Sequence, residues 1–415
     1  MLKSANRVLK FPFGNCFLNK IKNFHLSSTT NLIFTEQHEE MKKTLNKIIE
    51  KDIDPFIDQW EKDEKIPLKD LFKKLGNAGL LGITRPAKYG GLELDYSYSA
   101  AFLEELGKIG CGGVQMAIAV HTDMSTPALS RFGSDELRRE FLAPSIAGDR
   151  VSCIGVSEVH CGSDVAAIKT NAVRKGDDLI INGGKMWITN GPQADWMCLL
   201  ANTSQGSPHK NKSLICVPLD SPGIKWNKIH KLGTRSSDTA QFFFEDVRVP
   251  AKNIIGEEGM GFVYQMLQFQ EERLAAVLPV PISLSRSIQE TIDYCKERKA
   301  FGQPIINNQI IHFTLAELQS EVEALRSLTY RAVSKMIDGE DVTLLASMAK
   351  LKAGRLLREC NDKCLQFWGG MGYTSEVRIS RAFRDGRLQS IAGGSDEIML
   401  NIISKYMGIL PKPAK

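Results

Sequence analysis

The chain has 415 residues, 43% hydrophobic and 24% charged, room for two or three packed domains of ordinary globular composition. No apolar run approaches the ~20 residues that span a bilayer, so no stable membrane insertion is expected. The formal net charge is +5, and Lys3, Arg7, Lys10, Lys20 and Lys22 account for all of it. The remainder is neutral, which argues against nucleic acid as a partner.

In chain order, the first expectation is a mitochondrial transit peptide over 1–31. This stretch is basic, has no acid before Glu36, and ends in Ser27, Ser28, Thr29 and Thr30. A disordered basic tail is the alternative; a secretory signal fits less well, because basic residues and Pro12 interrupt any apolar stretch. Residues 32–150 read as helical. Met41, Leu45, Ile48 and Ile49 form one stripe behind Thr35 as an N-cap, and Pro55, Pro67, Pro86, Gly90 and Gly91 punctuate the rest of the region.

From 151 to 256 the pattern turns to short strands. Leu179 to Ile181 is bracketed by two turn-forming runs, Gly176-Asp177-Asp178 and Asn182-Gly183-Gly184. Lys185 to Thr189, Ser213 to Val217 and Gln241 to Val249 read as further strands of a compact barrel or sandwich. From 257 to 415 helical periodicity returns in long segments, Phe262–Arg298, Asn308–Met336 and Val342–Phe367, which predict a four-helix-type bundle. The expected fold class is α+β: helical, then β, then helical.

Nine cysteines are scattered without a Cys-x-x-Cys pair. Cys360 and Cys364 share a helical face, but no second ligand pair accompanies them, so buried free thiols are expected and no metal site. Three segments carry chemistry. Ile154 to Asp164, IGVSEVHCGSD, ends a strand in a small hydroxyl-bearing loop. KMWITNG, Lys185 to Gly191, sets Trp187 beside Thr189, suited to the face and edge of a flat heterocycle; a core Trp with a solvent-facing Thr is the plainer reading. QFWGGMGY, Gln366 to Tyr373, ends a helix in glycines that form a C-cap or let a pyrophosphate approach. No strand precedes it, so it is not a dinucleotide fingerprint.

Together with PAKYGGL (86–92), KLGTRSSDT (231–239), ERKAFGQPI (297–305) and FRDGRLQSIAGGSDEI (383–398), these segments resemble the acyl-CoA dehydrogenase family in order and spacing. The resemblance covers nearly everything after the first 31 residues. It implies an FAD-dependent homotetramer with an N-terminal helical domain, a middle β-domain and a C-terminal four-helix bundle. It further implies that Ile154, Ser157, Ser163, Trp187, Ile188 and Thr189 line the flavin, with Ser157 at its pyrimidine edge and Thr189 near N5. Arg298 and Gln309 are implied for the pyrophosphate and adenine, Gln366, Gly369 and Gly370 for contacts from a neighbouring subunit, and Ser395 and Glu397 to complete the site. Ser163, Gln270, Arg273, Ala392 and Gly394 are implied for the acyl-CoA. One departure is Val159-His160-Cys161, where the family usually has Pro-Gly-Ala.

The reaction needs a carboxylate in a water-poor pocket to take the α-proton. Most of the family places it just before a glycine in the segment matching Ile391–Ser395, but here Gly393 holds that position. A subset that includes isovaleryl- and long-chain-type enzymes carries it on a C-terminal-domain helix before an arginine, and Glu272-Arg273 matches. A Glu–Arg pair on a solvated helix face is the plainer reading. Glu271 points about 100° away on a helix. Pro279 and Pro281 are expected to kink the helix two turns later. Ala392, small where straight-chain relatives often have tyrosine, points to a branched acyl chain. The resemblance also implies a matrix location and electron-transferring flavoprotein as acceptor; the alternatives are an acyl-CoA oxidase, or a catalytically weak relative acting in assembly or binding.

Overall fold

The computed structural model describes residues 33–411, so the expected transit segment lies outside the described residues. Helix α1 (Glu36–Ile48) starts at Thr35, whose backbone N–H donates to His38 Nδ1 at 3.0 Å. That bond leaves His38 Nε2 to face Ser97 Oγ at 2.7 Å, so a buried histidine closes the cap and ties α1 to a later helix. The helices α2 (Ile57–Asp63), α3 (Leu68–Asn77), α4 (Tyr96–Leu106), α5 (Gly112–Ala119), α6 (Pro127–Phe132), α7 (Asp135–Leu137) and α8 (Ala143–Ile146) come next. After α5 the chain widens into a π-helical turn, Val120–Ser125. Such turns place side chains that a regular helix would bury elsewhere.

The middle of the chain is an eight-stranded sheet. Its strands are β1 (Ser152–Gly155), β2 (Asn171–Lys175), β3 (Asp178–Thr189), β4 (Trp196–Asn202), β5 (Lys212–Pro218), β6 (Ile224–Lys228), β7 (Thr239–Pro250) and β8 (Ile254–Ile255). The order is β6-β7-β3-β2-β4-β5-β8, with β1 parallel to β4. Alternation along β4 and β5 feeds two cores. Met197, Leu199, Ile215 and Val217 meet Phe242, Phe244 and Ile181 inside the sheet's curve. Trp196, Cys198, Leu200 and Leu214 meet Phe141 and Leu129 of the helical layer.

Two expectations from the sequence give way. Asn182-Gly183-Gly184 is not a turn: β3 runs straight through it as one twelve-residue strand. Gly183, at φ +139, sits where the register with β7 slips, and a Cβ there would lie 2.7 Å from Thr170 Cα. The glycine therefore makes a bulge that bends the strand rather than ending it. A second slip lies between Lys185 and Ile188, around Trp187 at φ +66.

The other correction concerns Phe262–Arg298, which is two helices, α9 (Gly261–Val277) and α10 (Val280–Glu297). Pro279 has no N–H to continue α9, and Pro281 falls in the first turn of α10, where none is required. A short hairpin, β9 (Lys299–Ala300) and β10 (Gln303–Pro304), leads to α11 (Gln309–Ile337) and α12 (Thr343–Trp368). Helices α13 (Arg378–Gly386) and α14 (Asp396–Tyr406) complete the chain order. The four long helices share a core of Leu284, Leu318, Val322, Leu325, Ala349 and Ala353. Among the described residues no helix is long and apolar enough to cross a membrane.

The end of β1 is tied down by a buried ion pair. Lys185 Nζ reaches Glu158 Oε1 at 2.8 Å and Val156 O at 2.9 Å, and Glu158 also accepts from the backbone N–H of Lys169 (2.7 Å) and Thr170 (3.0 Å). Burial lowers the Lys185 ammonium to about 8, with Glu158 opposing that shift. Breaking one partner of a buried pair strands the other charge. Lys185→Met is therefore expected to lower unfolding free energy by about 3 kcal/mol in urea titrations. The same change at Lys69, whose pair with Asp195 is solvated, should produce no comparable loss.

Candidate active site

Glu272 lies on α9 and is 6% exposed. Gln265 and Gln268, seven and four residues earlier, share its face, and both side-chain amides donate to Glu272 Oε1, at 3.2 and 2.7 Å. Gln268 is itself anchored: its carbonyl accepts from Ala128 N–H at 3.0 Å and its amide also donates to Met124 O. One carboxyl oxygen is thus held and Oε2 is left open. Burial pushes the carboxyl up to about 8, opposed by the two amides and Arg273 and reinforced by the charge of Asp123. Arg273 follows on the same helix, its Nε buried and without a partner among the described residues. Glu271 turns the other way and pairs with Arg131.

One turn beyond Glu272, Ala275 and Ala276 border a cavity also lined by Leu103, Leu106, Met116 and Met124. Its wall is apolar on this side and turns polar toward Asn361, Arg378 and Asp385, where α10, α12 and α13 close it. A carboxyl that favours its neutral form, beside an apolar cavity, has the character of a proton-transfer group.

The residues expected to line a flavin gather at the sheet's edge. Met186 N–H donates to Ser157 O at 2.8 Å, which seats Ser157 beside Trp187. The backbone twist at Trp187 throws its indole outward, 58% exposed, so it is not a core tryptophan. Ile188 is buried inside the sheet's curve, while Ile154 and Thr189 are half-buried and Ser163 is exposed. An uncovered aromatic face beside two hydroxyls suits a flat heterocycle. The departing loop closes as a tight turn, with Glu158 and Cys161 exchanging backbone hydrogen bonds and Val159 and His160 at its tip. Side-chain ligand atoms of Glu158, His160 and Cys161 lie within 4.8 Å of one another. The carboxylate among them is already engaged by buried Lys185, whose ammonium opposes a dication.

A second group lies at one end of the helical bundle. Tyr294, one turn before Arg298, stacks on Trp368 with centroids 4.2 Å apart, which brings Arg298 close to Gly369 and Gly370. Arg298, Gln309, Gln366 and both glycines are exposed, and a Cβ on either glycine would meet nothing within 4 Å. Among the described residues no hydrogen bond or ion pair joins this group to the Ser157–Thr189 edge.

The third group meets the helix of Glu272. Gln389 Nε2 donates to Ala276 O at 2.8 Å, and buried Lys350 donates to Gly394 O. Gly393 and Gly394 are both left-handed, at φ +64 and +94. Ala392 is exposed, Ser395 caps α14, and Glu397 stands exposed in its first turn. Sequence reasoning missed Gln265, Gln268, Asp123, Arg85 and Lys350. The glutamines were legible as i−7 and i−4 neighbours on one helical face; the other three depend on tertiary contacts.

Three family models match consecutive parts of the chain. They are the acyl-CoA dehydrogenase N-terminal domain over 35–149, the middle domain over 153–247 and the C-terminal domain over 259–408. The chain is 34% identical over 382 residues to the mitochondrial long-chain specific acyl-CoA dehydrogenase of Rattus norvegicus, covering 90% of this chain and 87% of that protein. It is 33% identical over 373 residues to the mitochondrial short-chain specific acyl-CoA dehydrogenase of Homo sapiens, covering 90% of each. Among solved structures, an acyl-CoA dehydrogenase from Geobacillus kaustophilus matches at a TM-score of 0.88 and 35% identity, covering 91% of this chain and all of that one.

The raised carboxyl has a stability consequence with a definite sign. Between the ordinary value of 4.5 and about 8, Glu272 is protonated when folded and ionised when unfolded. Stability is therefore largest below 4.5 and declines as pH rises to about 8. Between pH 5 and 9 the melting temperature should fall further for the native chain than for Glu272→Gln. Parallel curves for the two proteins would contradict the raised value.

Proposed function

The chain belongs to the acyl-CoA dehydrogenase family, so it is an FAD-dependent oxidoreductase acting on acyl-CoA thioesters, and we propose that Glu272 is its base. The observation carrying this is the buried Glu272 carboxyl, one oxygen fixed by two amides and the other without a hydrogen-bond partner among the described residues, one turn before two alanines that line a cavity. The glycine at 393, in the segment where most of the family holds its base, leaves that role to be filled.

FAD, when bound, supplies the acceptor for the β-hydrogen, taken as hydride at N5. Ser157, Trp187 and Thr189 would hold its ring, while Ser163, Ile154 and Ile188 shape that edge. Arg298, Gln309, Gln366, Gly369 and Gly370 would hold its pyrophosphate and adenine end, with Ser395 and Glu397 completing the site. The two groups share no direct contact within the described residues of one chain, which supports a homotetramer in which one subunit's bundle end serves a neighbour's flavin edge. The α-proton passes to Glu272 Oε2, and the trans-2-enoyl thioester results. Gln265 and Gln268 keep that carboxyl aimed while Oε1 is occupied. Arg273, whose Nε has no partner among the described residues, is assigned with Gln270, Ser163, Ala392 and Gly394 to the acyl-CoA.

Finer assignments belong to the same reading. The small Ala392 favours a branched acyl chain. The basic N-terminal segment and the mitochondrial relatives support a matrix location with electron-transferring flavoprotein as acceptor.

Glu272→Gln should retain FAD yet lose flavin bleaching by acyl-CoA about a thousandfold. With the native enzyme, kcat/KM should rise with pH and level off above about 8, since only the ionised carboxyl accepts a proton. Bleaching that persists in the variant refutes the base. Among isovaleryl-, citronellyl-, octanoyl- and palmitoyl-CoA, the branched pair should turn over faster; preference for the straight chains removes the branched assignment.

A further inference from the structure

Near Glu272 the chain buries polar and charged groups that proton abstraction does not use. The π-helical turn Val120–Ser125 carries Asp123 and, next to it, Met124, which lines the cavity and whose carbonyl is bound by the same Gln268 that holds Glu272. Asp123 is half-buried, and burial pushes its carboxyl up to about 6. Thr122 Oγ1 donates to Asp123 Oδ2 at 2.6 Å, and among the described residues Oδ1 has no partner.

Around it stand two more polar groups. Arg85 is buried; its guanidinium is held by Thr122 O and by Thr84 Oγ1 at 3.2 Å, and it makes no ion pair among the described residues. The Tyr96 hydroxyl is enclosed without a partner among those residues, and the charges of Asp123 and Glu271 bear on it. An unpaired buried hydroxyl such as that of Tyr96 costs free energy unless a ligand meets it.

We propose that Arg85, Tyr96 and Asp123 form a polar subsite opening onto the acyl cavity, which takes a hydroxyl carried by the acyl chain. This rests on the dehydrogenase reading above. Charge selects the class of group. Arg85 balances Asp123 and Arg131 balances Glu271, so the subsite is neutral as built. A carboxylate on the substrate would set a second negative charge beside Asp123, and an ammonium would face Arg85. A plain methylene chain would leave Tyr96 Oη and Asp123 Oδ1 unmet. A hydroxyl donates to Asp123 Oδ1 and accepts from Tyr96 or Arg85. Sites built to hydrogen-bond a substrate group discriminate strongly against analogues that lack it.

The test uses the FAD-loaded full chain and matched-length acyl-CoAs that are unsubstituted, hydroxylated at successive carbons from C4 outward, or terminally carboxylated. At one or more hydroxyl positions kcat/KM should exceed the unsubstituted value at least about tenfold, chiefly through KM. Arg85→Met and Asp123→Leu should bring that ratio towards one, and the isosteric Asp123→Asn should preserve part of it. FAD content and melting temperature establish that each variant is folded. Equal or better use of the unsubstituted or carboxylated series overturns the subsite, as does an unchanged ratio in variants that stay folded, which would make the cluster purely structural. If no acyl-CoA bleaches the flavin in a Glu272-dependent way, the base assignment falls as well, a different result from Glu272-dependent bleaching with no hydroxyl preference.

Discussion

A carboxyl taken out of water is the constraint on which the rest of this molecule is arranged. Burying Glu272 raises the free energy of its ionised form, and the chain compensates only partly, with two neutral amides and one neighbouring arginine. A carboxylate accepting several charged donors would be too stable to accept a proton readily, as Glu158 illustrates a short distance along the fold. Its partners are a buried ammonium and two backbone N–H groups, and together they hold its carboxyl below the usual range. The same residue type is thus held ionised in one place and favours its neutral form in another, and the difference lies in the donors around it.

Holding Glu272 in that state requires all three parts of the chain. Helix α9 supplies the acid and its glutamines, the N-terminal helices supply Met124 O and Ala128 N–H to fix Gln268, and β4 packs near enough for Cys198 to feel the carboxylate. The break at Pro279 belongs to the same arrangement. A Cβ on Gly107, at the end of α4, would lie 2.4 Å from Pro279 O, so α4 can approach α10 only where a glycine stands. A straight helix through 278 and 279 would redirect α10 and the bundle built on it.

Periodicity in the sequence carried the helical, β and helical order, because burial on one face imposes spacings of 3.6 or 2 whatever the partner. It misjudged Asn182-Gly183-Gly184 because those residues suit a turn and a bulge equally, and only the pairing partner, β7 with Thr170 behind it, decides between them. Its place before Arg273, together with Gly393, singled out Glu272 in the sequence; its burial and electrostatic state were not legible there. That state depends on how α9 packs against the turn 120–125 and on β4, contacts between segments far apart in the chain. Arg85 and Asp123 were silent for the same reason: each is unremarkable in its own segment and acquires meaning only from the other.

Buried charge separates the structural parts of this molecule from the receptive ones. Lys185 finds Glu158 and Val156 O, and Lys350 finds Gly394 O; each is enclosed and satisfied by its own chain. Arg273, Tyr96 and Asp123 are half-buried but retain atoms with no partner among the described residues, and the charges of Arg273 and Asp123 act on Glu272. Folding alone gives no reason to retain such groups, since apolar residues of similar size would cost less. Their hydrogen bonds are completed only when something else approaches.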